Sequence, residues 1–208
     1  MFKVLTLVGT RPEIIKLSLT IKKLDYLFDH CLVHTGQNYD YELNQIFFKD
    51  LEIRKPDYFL NSKSKNSINT ISKIFIKFND LCEKINPDAV IILGDTNSSL
   101  AAIVANKRKI PIFHIEAGNR CFNRDTPEEL NRRLVDHTSD INLTYTQIAK
   151  DYLIKEGIAG DKIIQVGSPM LEILNHFEDK INQSKILKKL KLEKKKLHFS
   201  FNAQGRKC

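Results

Sequence analysis

The run Phe2-Lys3-Val4-Leu5-Thr6-Leu7-Val8, followed by Gly9-Thr10-Arg11-Pro12-Glu13-Ile14-Ile15-Lys16, decides the fold. A β-branched and aliphatic run that stops at glycine and gives way to helical spacing reads as a buried parallel strand turning directly into a helix. Thr10 can cap that helix, Glu13 three residues on can complete a capping box, and proline is tolerated in a first turn. Arg11 precedes a proline, so it is expected to be extended, with its guanidinium projecting from the turn. Free helix N–H groups, with Lys16 one turn further in, make this corner suited to an anion. An ordinary helix N-terminus carrying solvated basic residues is the alternative.

Outward from this unit the pattern repeats as strand, loop, helix. Cys31 to His34 reads as a strand ending at Thr35-Gly36-Gln37-Asn38, and Tyr41 to Phe48 as a helix. Pro56 to Leu60 is expected to be a strand, followed by a polar loop and a long helix from about Ile68 to Ile85. Ala89 to Leu93 is the clearest buried strand, ending at Gly94-Asp95-Thr96-Asn97, with a helix from Ser98 to Asn106. Pro111 to Ile115 is the next strand, ending at Glu116-Ala117-Gly118. A helix from Pro127 to about Ser139, a strand at Ile141 to Leu143, a helix from Thr146 to Glu156 and a strand from Ile163 to Val166 follow. The alternation specifies a doubly wound parallel α/β sheet, Rossmann-like, with helices on both faces.

A length of 208 residues, 42% hydrophobic and 28% charged, suits one large soluble domain or one domain plus an appendage. Cys31, Cys82, Cys121 and Cys208 stand far apart without CxxC spacing, so neither a disulfide framework nor a zinc site is suggested. No run approaches membrane-spanning length and the N-terminus reads as a core strand, which places the chain in the cytoplasm with no membrane partner. The formal net charge of +8 is a property of the tail: Lys180 to Cys208 carries ten Lys or Arg against Glu193, a local +9, which leaves −1 for the rest. A Lys-rich end without aromatic residues interleaved at stacking spacing reads as a solvated helix face or a disordered end rather than a phosphate-tracking surface, so no nucleic-acid partner is expected.

Ligands of doubly wound sheets sit beyond the carboxyl ends of the strands. Arg11, Asp95 and Glu116 each follow a strand end, so they converge on one edge although a hundred residues separate them. Such a set could bind a metal, do acid/base work or cap loops; Asp95, before Thr96 and Asn97, has a turn or cap reading of its own. In Thr126-Pro127-Glu128-Glu129-Leu130-Asn131-Arg132-Arg133, a capping box accounts for Glu129. Glu128 either pairs with Arg132 on a solvated face or enters the cleft as a second carboxylate suited to taking a proton from carbon. No GxGxxG follows the first strand, so a nicotinamide cofactor is not indicated. His114 and His137 lack ligand spacing and read as structural.

With these residues in hand, the chain resembles the non-hydrolysing UDP-N-acetylglucosamine 2-epimerases of polysaccharide pathways. Four motifs carry the match: Gly9 to Lys16, Leu93-Gly94-Asp95-Thr96, His114-Ile115-Glu116-Ala117-Gly118 with Arg120, and Pro127 to Arg132. The resemblance covers residues 1 to about 175 and implies the N-terminal half of a two-domain GT-B-type fold. It implies anti elimination of UDP from a UDP-N-acetylhexosamine, then re-addition with C2 inverted, without metal or other cofactor. It makes Asp95, Glu116 and Glu128 acid/base carboxylates, with Lys16 beside them. Arg11 and Lys16 would meet substrate charge, and the full-length family would be homodimeric. Ala117 to Phe122 and Asp136 to Asn142 look like the branch acting on UDP-2-acetamido-2,6-dideoxy-hexoses, towards capsule or O-antigen.

The family's second domain has no counterpart here. Residues 176–197 read as a helical basic linker and 198–208 as an aberrant tail. With suitable synonymous codons, Phe201 to Cys208 read one base later gives Ser-Thr-His-Arg-Glu-Glu-Asn, similar to the motif that opens the family's second domain. The tail is therefore expected to be a frameshift product, and the chain alone weakly active or inactive. A non-catalytic fragment that joins other subunits and half of a GT-B glycosyltransferase are the alternatives.

Overall fold

The structure is a computed structural model and describes residues 1–37, 41–123 and 125–191, with backbone only over 41–45. The expectations placed on Asn38 and on Phe201 to Cys208 lie outside the described residues. Seven parallel strands form one sheet: β1 (Lys3–Val8), β2 (Asp29–His34), β3 (Tyr58–Phe59), β4 (Ala89–Leu93), β5 (Ile112–Ala117), β6 (Ile141–Thr144) and β7 (Ile163–Gln165). Their order is β3-β2-β1-β4-β5-β6-β7. The order reverses between β1 and β4, which opens a crevice between the turns leaving those two strands.

The connecting helices are α1 (Arg11–Leu27), α2 (Tyr41–Asp50), α3 (Ser67–Ile85), α4 (Ala102–Lys107), α5 (Pro127–Thr138) and α6 (Gln147–Lys155). Strand side chains alternate between two cores, as the period of two requires. Leu5, Leu7, Cys31, Val33, Val90 and Ile92 join Ile74 and Phe78 of α3 on one face. Val8, Leu32 and Leu93 join Ile14, Leu17 and Ile21 of α1 on the other. Helix α3 shows why such segments are helical: Asn66 caps it by accepting from the Asn69 amide at 2.8 Å, and its buried residues Thr70, Ile74, Phe78 and Cys82 recur every fourth position. Asn86, in the left-handed region at φ 49°, ends it.

The compact unit spans Met1–Leu171. The second unit, from Glu172 on, carries the end of α7 (Met170–His176) and the short helices α8 (Glu178–Gln183) and α9 (Ile186–Lys189). No helix among the described residues is long and apolar enough to cross a membrane.

Three elements depart from the sequence expectation. The strand expected over Pro56 to Leu60 shrinks to Tyr58–Phe59, an edge pair on β2. The helix after Asp95 opens as a 3₁₀ turn, Asn97–Ala101, before α4 begins. Strand β5 runs through Glu116 to Ala117, with a bulge between Ile115 and Ala117 that leaves Glu116 in the left-handed region at φ 69°. A bulge re-aims the side chain it carries, and a non-glycine residue at positive φ is a strain that functional sites retain.

Candidate active site

The turn after β1 is tight because three turns meet over it. A Cβ on Gly9 would stand 2.0 Å from Ser98 Oγ and 2.3 Å from Thr35 Oγ1, and those two hydroxyls are hydrogen-bonded to each other at 2.7 Å. Thr10 holds the extended cap position, while Arg11 is already the first residue of α1. This corrects the expectation of an extended Arg11: the bond from the Ile14 amide to the Thr10 carbonyl, at 3.2 Å, closes the helical turn around it and outweighs the pre-proline preference. Arg11 remains exposed at the helix start.

Glu13 does more than cap. Its carboxylate accepts from the Gly9 amide at 2.5 Å, the Thr10 amide at 3.0 Å and the Thr96 hydroxyl at 2.7 Å, so it bolts the β1 turn to the β4 turn across the crevice. The capping box expected at Thr10 and Glu13 is formed, and the Gly9 and Thr10 amides are occupied by the chain itself. Burial pushes the Glu13 pKa from 4.5 up to about 7, against the pull of the donors on it. A folded state that holds a proton more tightly than the unfolded chain loses that advantage as pH rises through the folded pKa. We therefore expect the parent's stability, relative to Glu13→Gln, to fall between about pH 4.5 and about pH 7 by roughly 3 kcal/mol, at ~1.4 kcal/mol per pH unit. Denaturant melts at a series of pH values measure the gap, and a constant gap contradicts the assignment.

Two ion pairs stand at the carboxyl edge. Lys16 Nζ, from the second turn of α1, reaches Glu116 Oε2 at 2.5 Å, with both side chains partly buried. Arg132 Nε, from α5, reaches Asp95 Oδ2 at 2.6 Å, and Asn131 Nδ2 donates to the Asp95 carbonyl at 2.9 Å. Burial works against the Arg132 charge, but Asp95 beside it leaves the pKa of Arg132 above its ordinary value. The cap reading of Asp95 does not hold: Thr96 is the cap, accepting from the Ser98 amide at 3.2 Å.

Helix α5 sorts its two glutamates. Glu128 is exposed, and it makes no ion pair with Arg132, whose partners are Asp95 and, at 3.6 Å, Glu129. Glu129 is buried and forms no capping box with Thr126; this is a second correction. Instead it accepts from the Cys121 amide at 3.0 Å and from Arg133 Nε at 3.1 Å, tying the β5–α5 loop to the helix. Burial alone would raise its pKa, but those donors hold it below the usual carboxylate range.

Beneath the edge lies a cluster that sequence reasoning missed. Asp136 accepts from Arg120 NH1 at 2.7 Å and from the Gly118 amide at 3.2 Å, and Arg120 also grips Glu156 through two bonds, 2.8 and 2.5 Å. His114, which read as structural, is buried against the same Asp136. The available signal was spacing: Glu129 and Asp136 lie seven apart on α5, on the side where Val135 is buried, so both acids had to face inward.

The structure thus brings Lys16 to Glu116 and Asp95 to Arg132, and places Arg11 and Glu128 exposed at the starts of α1 and α5. Among the described residues no group of three His, Cys, Asp or Glu could hold a metal ion. Paired acids and bases suit proton transfer on an anionic substrate.

A sequence model of the family UDP-N-acetylglucosamine 2-epimerase matches residues 22–201. The structure of UDP-N-acetylglucosamine 2-epimerase from Rickettsia bellii is 53% identical, with a TM-score of 0.88 over 93% of this chain and 52% of that one. The Methanocaldococcus jannaschii UDP-GlcNAc 2-epimerase in complex with UDP-GlcNAc and UDP is 38% identical, with a TM-score of 0.86 over 91% of this chain and 53% of that one. A Pseudomonas aeruginosa UDP-2,3-diacetamido-2,3-dideoxy-D-glucuronate 2-epimerase is 41% identical over 173 residues, 81% of this chain and 49% of the relative. The chain spans about half the length of the relatives it matches. On its strand order, its edge of paired charges and these matches, the chain belongs to the UDP-N-acetylglucosamine 2-epimerase family.

Proposed function

We propose that this chain supplies the acid/base half of an epimerase that inverts C2 of a UDP-N-acetylhexosamine. The observation that carries the reading is the pairing of Lys16 with Glu116 beside Asp95 with Arg132, at the carboxyl ends of adjacent strands. A carboxylate of this set takes the C2 proton, the released electron pair forms the C1=C2 bond, and the C1–O bond breaks with UDP leaving. Re-addition of UDP, with a proton delivered to the opposite face of C2, gives the epimer. Asp95, Glu116 and Glu128 are the proton carriers, since a weakly acidic C–H needs a positioned base. Arg11 and Lys16 offset charge on the diphosphate as it departs.

The substrate class is nucleotide N-acetylhexosamines, with a 2,6-dideoxy sugar as the specific candidate and capsule or O-antigen synthesis as the use. The reaction would run in the cytoplasm, in a homodimer of the full-length protein, without a resident metal or nicotinamide.

The test compares the 208-residue chain with the same chain completed by the second half of the Rickettsia bellii epimerase. The completed chain is expected to convert UDP-N-acetylglucosamine to its C2 epimer, and the 208 residues alone to do so hardly at all. Robust turnover by the 208 residues would contradict the assignment of only half a site to them. Transfer of sugar to an added acceptor, with no epimer formed, would favour a glycosyltransferase.

A further inference from the structure

We propose that Asp136, with a doubly protonated His114 and Arg120, is the positioning hub of the two acid/base carboxylates, holding the turns on which Asp95 and Glu116 stand. The inference rests on the epimerase reading for its catalytic consequence, while its structural content stands apart from it.

The protonation state follows from what each ring nitrogen faces. His114 Nε2 lies 2.9 Å from the carbonyl oxygen of Gly94, an atom that can only accept, so Nε2 carries a proton. Nδ1 lies 2.9 Å from Asp136 Oδ1, off the line of an aligned hydrogen bond. A neutral ring would aim a lone pair at that carboxylate; a second proton turns the contact into an ion pair. A further polar neighbour is Asn142, opposite His114 in the sheet, whose Oδ1 has no hydrogen-bond partner and whose Nδ2 donates to the Asp136 carbonyl at 3.0 Å. Were Asp136 to carry the proton instead, the fully buried Arg120 guanidinium would keep Glu156 but lose the charge on its other carboxylate partner. Two cations, His114 and Arg120, then face Asp136 and Glu156, and Glu156 is shared with Arg133 and, at 3.3 Å, with His137. Burial works to lower the His114 pKa, but Asp136 and the Gly94 carbonyl outweigh it, and the net shift is upward.

The hub's contacts fall at the two catalytic turns. His114 grips Gly94, the residue before Asp95. Asp136 grips the Gly118 amide, two residues after Glu116, and Arg120 NH1 also donates to the Asn119 carbonyl at 2.8 Å. Glu116 sits at φ 69°, a conformation that a non-glycine residue keeps only where the surroundings dictate it, while φ 80° at Gly118 is open to glycine without strain. Only glycine fits at position 118, because a Cβ there would meet the Ala149 carbonyl oxygen at 2.4 Å. The Gly94 amide in turn donates to the Ile115 carbonyl at 2.9 Å, so the two turns are also coupled directly.

The experiment has three arms. In the 208-residue chain, heteronuclear NMR near pH 7 is expected to show His114 protonated on both ring nitrogens; a neutral ring overturns the proposal, whatever the activity. In the same chain, Asp136→Asn is expected to speed amide exchange at Gly118 and Gly94 at least about 10-fold while β1 amides stay protected, and uniform acceleration overturns it. In the completed chain, Asp136→Asn and, should that variant not fold, His114→Gln are expected to lower kcat about 10²-fold with KM for the UDP-sugar unchanged, the scale of a small misplacement of reacting groups. Equal changes in kcat and KM, or none in a folded variant, overturn the positioning role. An unaltered completed chain that lacks activity would count against the epimerase reading alone, and the NMR arm would still decide the hub.

Discussion

Glu116→Gln in the completed chain is expected to lower kcat by about 10²- to 10⁴-fold while leaving UDP affinity within a few-fold, because proton transfer by a positioned side chain contributes on that scale. The substitution removes the proton-accepting oxygen but keeps the size of the side chain and its backbone, so the bulge at Ile115 and Ala117 has no reason to change. It also removes the charge that Lys16 faces at 2.5 Å. Lys16 is one-quarter exposed and can turn to the diphosphate, which is why nucleotide affinity should hold or rise slightly. Rapid-quench turnover and UDP titration separate the two quantities. Loss of both in step would make Glu116 a binding or structural residue.

Asp95→Asn is the second large effect, about 10²-fold or more in kcat on the same grounds. Here the partner is less free to move. Arg132 is held by Asp95 at 2.6 Å and lies 3.6 Å from Glu129, so losing Asp95 leaves a partly buried guanidinium short of its nearer counter-charge. A variant that also removes the cation, Arg132→Gln, should cost little beyond Asp95→Asn alone, since groups in contact act non-additively. A full second penalty from Arg132→Gln in the Asp95→Asn background would show that the two residues act separately and that Arg132 has substrate contacts of its own.

The elements and their common edge were legible because buried parallel strands leave continuous apolar runs that end at glycine. Ala89 to Leu93 was read with its bounds intact, since all five residues are apolar and Pro87-Asp88 and Gly94 punctuate it. Arg11, Asp95 and Glu116 could be placed on that edge by topology alone. What could not be read was orientation. Arg132 faces Asp95 rather than Glu128, and Glu129 faces Cys121 rather than the helix start, because α5 packs on β5 and on the turn after β4, and rotation about its axis is set by packing. The Asp136 cluster joins residues from 16 to 36 positions apart through side chains whose spacing has no local period. Glu13 showed only its capping role, because the Thr96 hydroxyl that makes it a bridge comes from 83 residues away.

The central claim is that these strand ends carry groups that remove and return the proton on C2. Incubating the completed chain with UDP-N-acetylglucosamine in deuterated water and following C2 by NMR tests it most directly. The account predicts that deuterium enters C2 of the epimer formed and that Glu116→Gln abolishes most of this exchange. Epimer formed with its original hydrogen retained at C2, or exchange undiminished in Glu116→Gln, would contradict it.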